Sequence, residues 1–275
     1  MRSRSIYKSP AEMRAMLEPG RITAAALSAV RDAIRPGVTT LELDAIAERV
    51  IRDAGAEPNF ALEPGYRHTI CASVNDDVVH GIPTDRPLEA GDILSIDCGA
   101  LFEGWNGDAA FTVVLPDDGQ ESRVRSRSRL SAVTEGSLWA GIAALASAKH
   151  LGAVGEAIEA AVDARGQYGI VEGYAGHGIG RAMHEEPSVF NYAVRGRGAA
   201  IKPGLVVAIE PMVTAGSSDT VVRDDEWTVA TSDGSDAAHW EHSVAVHAHG
   251  VWVLTAPDGG RAGLAPFGIV PTPLA

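Results

Sequence analysis

The sequence has few cysteines and lacks any long apolar run. Its two cysteines, Cys71 and Cys98, exclude a disulfide framework and a cysteine-rich zinc module. Free thiols in a reducing compartment are the favoured interpretation, with a single bridge left open. No apolar stretch approaches the roughly 20 residues that a membrane span needs, and no signal-peptide pattern follows the first residues. These absences predict a cytoplasmic protein with no membrane partner.

Positive charge is also scarce. The 275-residue chain has 23 Lys and Arg residues against 36 Asp and Glu residues, which gives a formal net charge of −13. This excess of acidic residues argues against nucleic acid or an anionic membrane as the main partner. Hydrophobic residues make up 45% of the chain, which is typical of a folded globular protein. The length suits one large domain or two closely packed halves.

Hydrophobic spacing predicts helices followed by strands, and this order occurs twice along the chain. Ser9 and Glu12 indicate a helix start, and a break or kink is expected at Pro19-Gly20. Further helical spacing covers 22–34, 40–55, 121–149 and 154–164, and strand-like spacing covers 69–74, 92–115 and much of 168–253. We therefore predict an α+β protein with a short N-terminal tail (1–9), one domain (10–255) of two similar halves (about 10–120 and 121–255), and a Pro/Gly-rich C-terminal tail (256–275).

Two aspartates interrupt an apolar pair of predicted strands. A hairpin folded about Phe102 and Glu103 would place Asp97 directly opposite Asp108, where two carboxylates on one face repel each other. Burying either one unpaired costs several kcal/mol, so a positive charge is expected between them. The alternative is a solvated hairpin tip with two exposed acids, which the apolar neighbours make less favourable.

Three further residues have side chains that, like the two aspartates, can bind a cation. Glu210 follows a run of apolar residues that predicts a buried strand, and Glu241 lies among Trp, Val and Ala. His177 lies between two glycines that permit a close approach of ligand. A Glu facing water and a loop His are the alternatives for single residues. Four acids with one imidazole are typical of a site for Co, Mn, Fe or Zn or, less readily, Mg, and the charges balance with two divalent ions.

The order of these five residues resembles the ligand set of the pita-bread metallopeptidases of family M24. More specific strings resemble type I methionine aminopeptidases, and together they span most of the chain. They are Val79-His80-Gly81-Ile82-Pro83, Asp97-Cys98-Gly99, Gly176-His177-Gly178-Ile179-Gly180, His184-Glu185-Glu186-Pro187, Ile209-Glu210-Pro211-Met212, Trp227-Thr228-Val229 and Trp240-Glu241-His242-Ser243.

The resemblance implies a pita-bread fold, in which two similar αβ halves surround a central antiparallel sheet and hold two metal ions. By this resemblance Asp97 binds one ion, His177 and Glu210 bind the other, and Asp108 and Glu241 bridge both. A water held between the ions is the implied nucleophile.

The resemblance also assigns roles around the metals. Glu210 is implied to exchange protons with the water, His80 to contact the scissile amide, and His184 to hold the developing oxyanion. The implied pocket for the first residue of the substrate consists of Cys71, Tyr66, Met183 and Trp227. Relatives often have a tyrosine-rich loop at 62–68 and an aromatic residue at 183, so this chain departs from the pattern there.

The implied activity is removal of the N-terminal methionine from nascent proteins and peptides with a small second residue. The expected partners are nascent polypeptide N-termini, with the ribosome as a further candidate, and a monomer is expected. A proline-specific dipeptidase or aminopeptidase P is one alternative, although these usually carry an additional amino-terminal domain of roughly 100 residues. A catalytically inactive scaffold or a metal-free creatinase-like enzyme is the other alternative.

Overall fold

The computed structural model describes residues 5–274, so the first four residues of the predicted N-terminal tail and the last residue of the predicted C-terminal tail lie outside the described residues. The helices are α1 (Pro10–Ala15), α2 (Leu17–Ala33), α3 (Thr40–Asp53), α4 (Glu121–Ser147), α5 (Gly152–Asp163) and α6 (Arg261–Leu264). The strands are β1 (Glu57–Pro58), β2 (Ile70–Val74), β3 (Asp77–Val79), β4 (Ile93–Phe102), β5 (Trp105–Val114), β6 (Gly169–Ile170), β7 (Gly176–Gly178), β8 (Glu185–Val189), β9 (Val206–Ile209), β10 (Met212–Thr214), β11 (Thr220–Val222), β12 (Val229–Thr231), β13 (Ala237–His239), β14 (Glu241–His247) and β15 (Gly250–Val253).

The first helical segment begins where the sequence predicts but breaks elsewhere. Ser9 and Glu12 form a reciprocal capping box at the start of α1. The predicted break at Pro19-Gly20 is wrong, because the interruption lies at Met16 and α2 continues through both residues. Pro19 is in the first turn of α2, where its missing N–H needs no partner. At Gly20 a Cβ would lie 2.6 Å from the carbonyl oxygen of Leu254, so glycine permits close packing there.

Within the described residues, a nine-stranded antiparallel sheet forms the centre. Its order is β1-β4-β5-β14-β9-β7-β8, and β2 and β15 pair with β4 and β14. Helices α2 and α3 pack on β2, β4 and β5 in one hydrophobic cluster. Helices α4 and α5 pack on β9, β14 and β15 in a second cluster. Trp240 contacts both clusters. The α+β class is confirmed.

The β4–β5 hairpin has a different register from the predicted one. Phe102 pairs with Trp105, so Asp97 lies opposite Ala110 and not opposite Asp108. The two-residue turn at 103–104 has φ angles of 49° and 74°, a left-handed pair typical of tight hairpins. Because the register differs by two residues, both aspartates still point to one face of the sheet.

The C-terminal segment packs against the second half. Leu264 in α6 is fully buried in the second cluster. A ring nitrogen of His247 lies 2.8 Å from the carbonyl oxygen of Thr272. At the other end, Tyr7 forms a β-bridge with Leu205. Across residues 5–274, no helix has the length and apolar character required to span a membrane.

Candidate metal centre

The residues selected from the sequence converge on one cavity of about 160 Å³. Both halves of the chain contribute to its lining. Three lining residues, Phe60, Glu63 and Val79, were not predicted as site residues from the sequence. The predicted site residues that line it are Tyr66, Cys71, His80, Asp97, Asp108, His177, Met183, His184, Glu210, Trp227 and Glu241.

The five candidate ligands come from five neighbouring strands of the central sheet. Across the order β4-β5-β14-β9-β7, each strand supplies one residue within the strand or directly after it. In that order the residues are Asp97, Asp108, Glu241, Glu210 and His177. Adjacent strands lie about 4.8 Å apart, so one functional group per strand yields a continuous row of potential ligands.

The distances within this row suit metal coordination. One ligand atom each from Asp108, His177 and Glu241 lies within 4.8 Å of the others. The His177 Nε2 atom lies 3.4 Å from the Glu210 carboxylate. Among the described residues, the buried Oδ1 atoms of Asp97 and Asp108 and the Oε1 atom of Glu241 accept no hydrogen bond. Buried oxygens without donors are costly, so the donor set fits divalent cations.

The ionisation of the cluster is consistent with this fit. Burial raises the pKa of Asp97 to about 7. Burial and the neighbouring carboxylates raise the pKa values of Asp108 and Glu241 well above their ordinary range, and Glu210 shifts in the same direction for the same causes. Without a cation the cluster therefore retains protons, whereas a bound cation favours the ionised carboxylates.

His177 has the protonation expected of a ligand. Burial lowers its pKa to about 4, with a further lowering from His184, so the ring is neutral at neutral pH. Its Nδ1 atom lies 3.0 Å from the carbonyl oxygen of Gly178. If Nδ1–H donates to that oxygen, the Nε2 lone pair is left directed towards the cluster.

Two buried polar residues fix the backbone at the cluster. Ser243 donates to the carbonyl oxygen of Asp108 at 2.8 Å and accepts from the amide of the same residue at 3.2 Å. The side-chain amide of Asn191 donates to the carbonyl oxygen of Glu210 at 3.0 Å. Ser243 belongs to a string quoted from the sequence, but no periodicity indicates Asn191, because its contact joins distant segments.

Two further histidines lie beside the cluster. His80 has a φ of 59°, a left-handed conformation uncommon for a residue with a side chain. Its ring meets the edge of Tyr174 at 5.7 Å between centroids. The rings of His177 and His184 are 4.4 Å apart between centroids. Burial lowers the pKa values of His80 and His184, so both rings are predominantly neutral at neutral pH.

An apolar pocket forms the other wall of the cavity. Phe60, Tyr66, Cys71 and Met183 are buried together, and Trp227 packs against them. The Tyr66 and Trp227 rings are 5.1 Å apart between centroids. The Tyr66 hydroxyl donates to the carbonyl oxygen of Ile70 at 2.7 Å, which orients the ring. Phe60 could have been identified as a pocket residue from the sequence, because the chain has few aromatic residues and Phe60 lies beside the 62–68 loop.

Comparison with known proteins supports the resemblance to the M24 metallopeptidases that the sequence motifs indicate. The family model described as Metallopeptidase family M24 matches residues 14–248. Methionine aminopeptidase 1 of Mycobacterium tuberculosis is 50% identical over 256 residues, which covers 90% of this chain and 94% of that protein. Methionine aminopeptidase 1 of Bacillus subtilis is 42% identical, with coverage of 91% and 98%.

Solved structures show the same relationship. The methionine aminopeptidase of Rickettsia prowazekii superimposes with a TM-score of 0.85 at 34% identity, covering 91% of this chain and 99% of that chain. The prolidase of Pyrococcus horikoshii, at 20% identity and a TM-score of 0.70, shares the fold alone. The predicted pita-bread fold is thereby confirmed.

Proposed function

We propose, from the premise that the chain belongs to metallopeptidase family M24 and is a metal-dependent aminopeptidase of the type I methionine aminopeptidase kind, that it removes methionine from peptides and nascent proteins whose second residue is small. The observation that carries the proposal is a row of five potential ligands beside an apolar pocket containing sulfur and aromatic side chains.

The row suits two divalent cations of Co, Mn, Fe or Zn. Asp97 would hold one ion, His177 and Glu210 the other, and Asp108 and Glu241 both. The unpaired buried oxygens of Asp97, Asp108 and Glu241 support these assignments. When bound, the cations would bring the pKa of a water molecule towards neutrality and polarise the scissile carbonyl.

The protein side chains would move and hold protons around the scissile bond. Glu210 would accept a proton from the attacking water and return it to the departing amine, because its carboxylate lies in the cavity beside His177. His80 would contact the scissile amide at its nitrogen. The neutral His184 ring would donate a hydrogen bond to the developing oxyanion from the same cavity wall.

The apolar pocket would bind the methionine side chain. Cys71 and Met183 provide polarizable sulfur, and Tyr66 and Trp227 provide aromatic surface for an unbranched thioether. A methylene more or less in such a pocket changes binding by about 1–3 kcal/mol, so norleucine should be accepted. A charged first residue would be rejected because the pocket offers it no buried counterion.

The free amino group of the substrate would lie near the carboxylate row, which explains cleavage at the first peptide bond only. A cytoplasmic monomer that acts on nascent chains, with the ribosome as a candidate partner, is part of the same proposal. A proline-specific peptidase is the competing function for this ligand set.

The test is hydrolysis of a Met-X-Gly peptide series by protein reconstituted separately with Co, Mn, Fe and Zn. Efficient cleavage of Met-Ala-Gly with little cleavage of Met-Lys-Gly is expected. Preference for X-Pro peptides would reassign the chain to the proline-specific group. Full activity in exhaustively demetallated protein would contradict the metal-dependent mechanism.

A further inference from the structure

Glu63 is an acidic residue of the cavity lining that the metal cluster does not use. It follows the short 3₁₀ turn Phe60–Leu62, and its side chain is exposed. The Glu63 amide donates to the carbonyl oxygen of Phe60 at 3.0 Å, and the Tyr66 amide donates to the carbonyl oxygen of Glu63 at 3.1 Å. These two bonds hold the backbone of Glu63 in a fixed turn beside the apolar pocket.

Within residues 5–274, the Glu63 carboxylate forms no hydrogen bond and no ion pair. Burial lowers the pKa of His184, and the negative charge of Glu63 opposes this lowering by a smaller amount. An exposed negative charge without an ion-pair partner among the described residues therefore lies in the cavity lining, close enough to His184 to affect its pKa.

We propose that Glu63 is a specificity-determining residue that favours peptides with a positively charged third residue. This inference rests on the proposed function, in which the carboxylate row takes the amino group and the apolar pocket takes the first side chain. The peptide must then leave the cavity past its exposed lining, where Glu63 lies. Since the second side chain is required to be small, the third is the first long side chain able to approach Glu63.

The expected size of the effect follows from its exposure to solvent. Two unit charges about 7 Å apart in water interact by roughly the thermal energy, which changes kcat/KM by about threefold for each unit of charge. Salt should weaken the preference, because the Debye length is only about 8 Å at physiological ionic strength.

The experiment measures kcat/KM for Met-Ala-Lys-Gly, Met-Ala-Gln-Gly and Met-Ala-Glu-Gly with the metal-loaded enzyme at low salt. The wild-type enzyme should prefer the Lys peptide to the Gln peptide about threefold and to the Glu peptide by more. Glu63→Gln should remove most of this preference, and Glu63→Lys should reverse it. Both variants should fold, because the Glu63 side chain is exposed.

Glu156→Gln is the matched control, because it changes the net charge identically at an exposed position on α5 outside the cavity. It should retain the full wild-type preference. An equal loss of preference in both Gln variants would show that bulk charge is responsible and overturn the inference, as would an unchanged preference in Glu63→Gln. In either case, cleavage of Met-Ala-Gln-Gly would leave the proposed function standing. An enzyme that cleaves none of the three peptides would refute both.

Discussion

Removal of the metal should make the stability of this protein decrease as pH rises. The carboxylates of the ligand row lie together in a buried setting, and burial raises the pKa of Asp97 from 3.8 to about 7. In the metal-free protein, a pH above that value forces a negative charge into a cluster that already contains Asp108, Glu210 and Glu241. With cations present, the same charges are compensated.

The sign follows from proton binding. Because the pKa of Asp97 is higher in the folded chain than in the unfolded chain, the folded state binds more protons between about pH 4 and pH 7. Stability is therefore greatest below this window and falls as pH rises through it. A tenfold change in acidity corresponds to about 1.4 kcal/mol, so Asp97 alone accounts for a loss of up to roughly 4 kcal/mol. The raised pKa values of the other three acids act in the same direction.

The assay is urea unfolding between pH 5 and pH 8, followed by tryptophan fluorescence, for chelator-treated and manganese-loaded protein. Only the chelator-treated protein should lose stability across the range. Asp97→Asn in the metal-free state should flatten the dependence, because the amide does not titrate. A metal-free protein that becomes more stable from pH 5 to pH 7.5, or an Asp97→Asn variant with an unchanged slope, would refute the reasoning.

Three further outcomes can be checked with small sets of variants and substrates. Asp108→Ala should abolish binding of both metal ions, whereas His80→Ala should lower turnover by a factor of about 100 or more and leave the metal content, measured by elemental analysis, near normal. Equal metal loss in the two variants would contradict the assigned roles. Lys8→Met should remove the 2.9 Å ion pair with Glu185 and lower the free energy of unfolding by about 1–3 kcal/mol. It should also raise KM for Met-Ala-Gly, because Glu185 directly follows His184, which is proposed to hold the oxyanion. Lys8→Arg should restore KM, and a Lys8→Met enzyme with unchanged KM would show that the pair only stabilises the fold. A norleucine peptide should be cleaved within about tenfold of its methionine counterpart, and its complete rejection would contradict a purely apolar pocket.

The elements that could be predicted from the sequence depend on local chemistry. The start of α1 is determined by Ser9 and Glu12, since a capping box needs only residues three apart. Asp97 and Glu210 could be predicted as site residues because burying a carboxylate in an apolar strand costs free energy unless a positive charge compensates it. The predicted register of the β4–β5 hairpin is wrong. The prediction placed the turn at 102–103, midway between Asp97 and Asp108, whereas the left-handed turn lies at 103–104 and determines the register.

The sequence by itself therefore determined which residue types form the candidate ligand row, because these types and their apolar neighbours are visible along the chain. The tertiary structure alone decided the order of the five strands that brings Asp97 and His177 into one row, since strand pairing depends on contacts between distant segments. It also decided that Phe60 and Glu63 line the same cavity. Their positions follow from how the 60–66 turn packs on the second half of the chain, at Met183 and Trp227, and no local periodicity records such a contact.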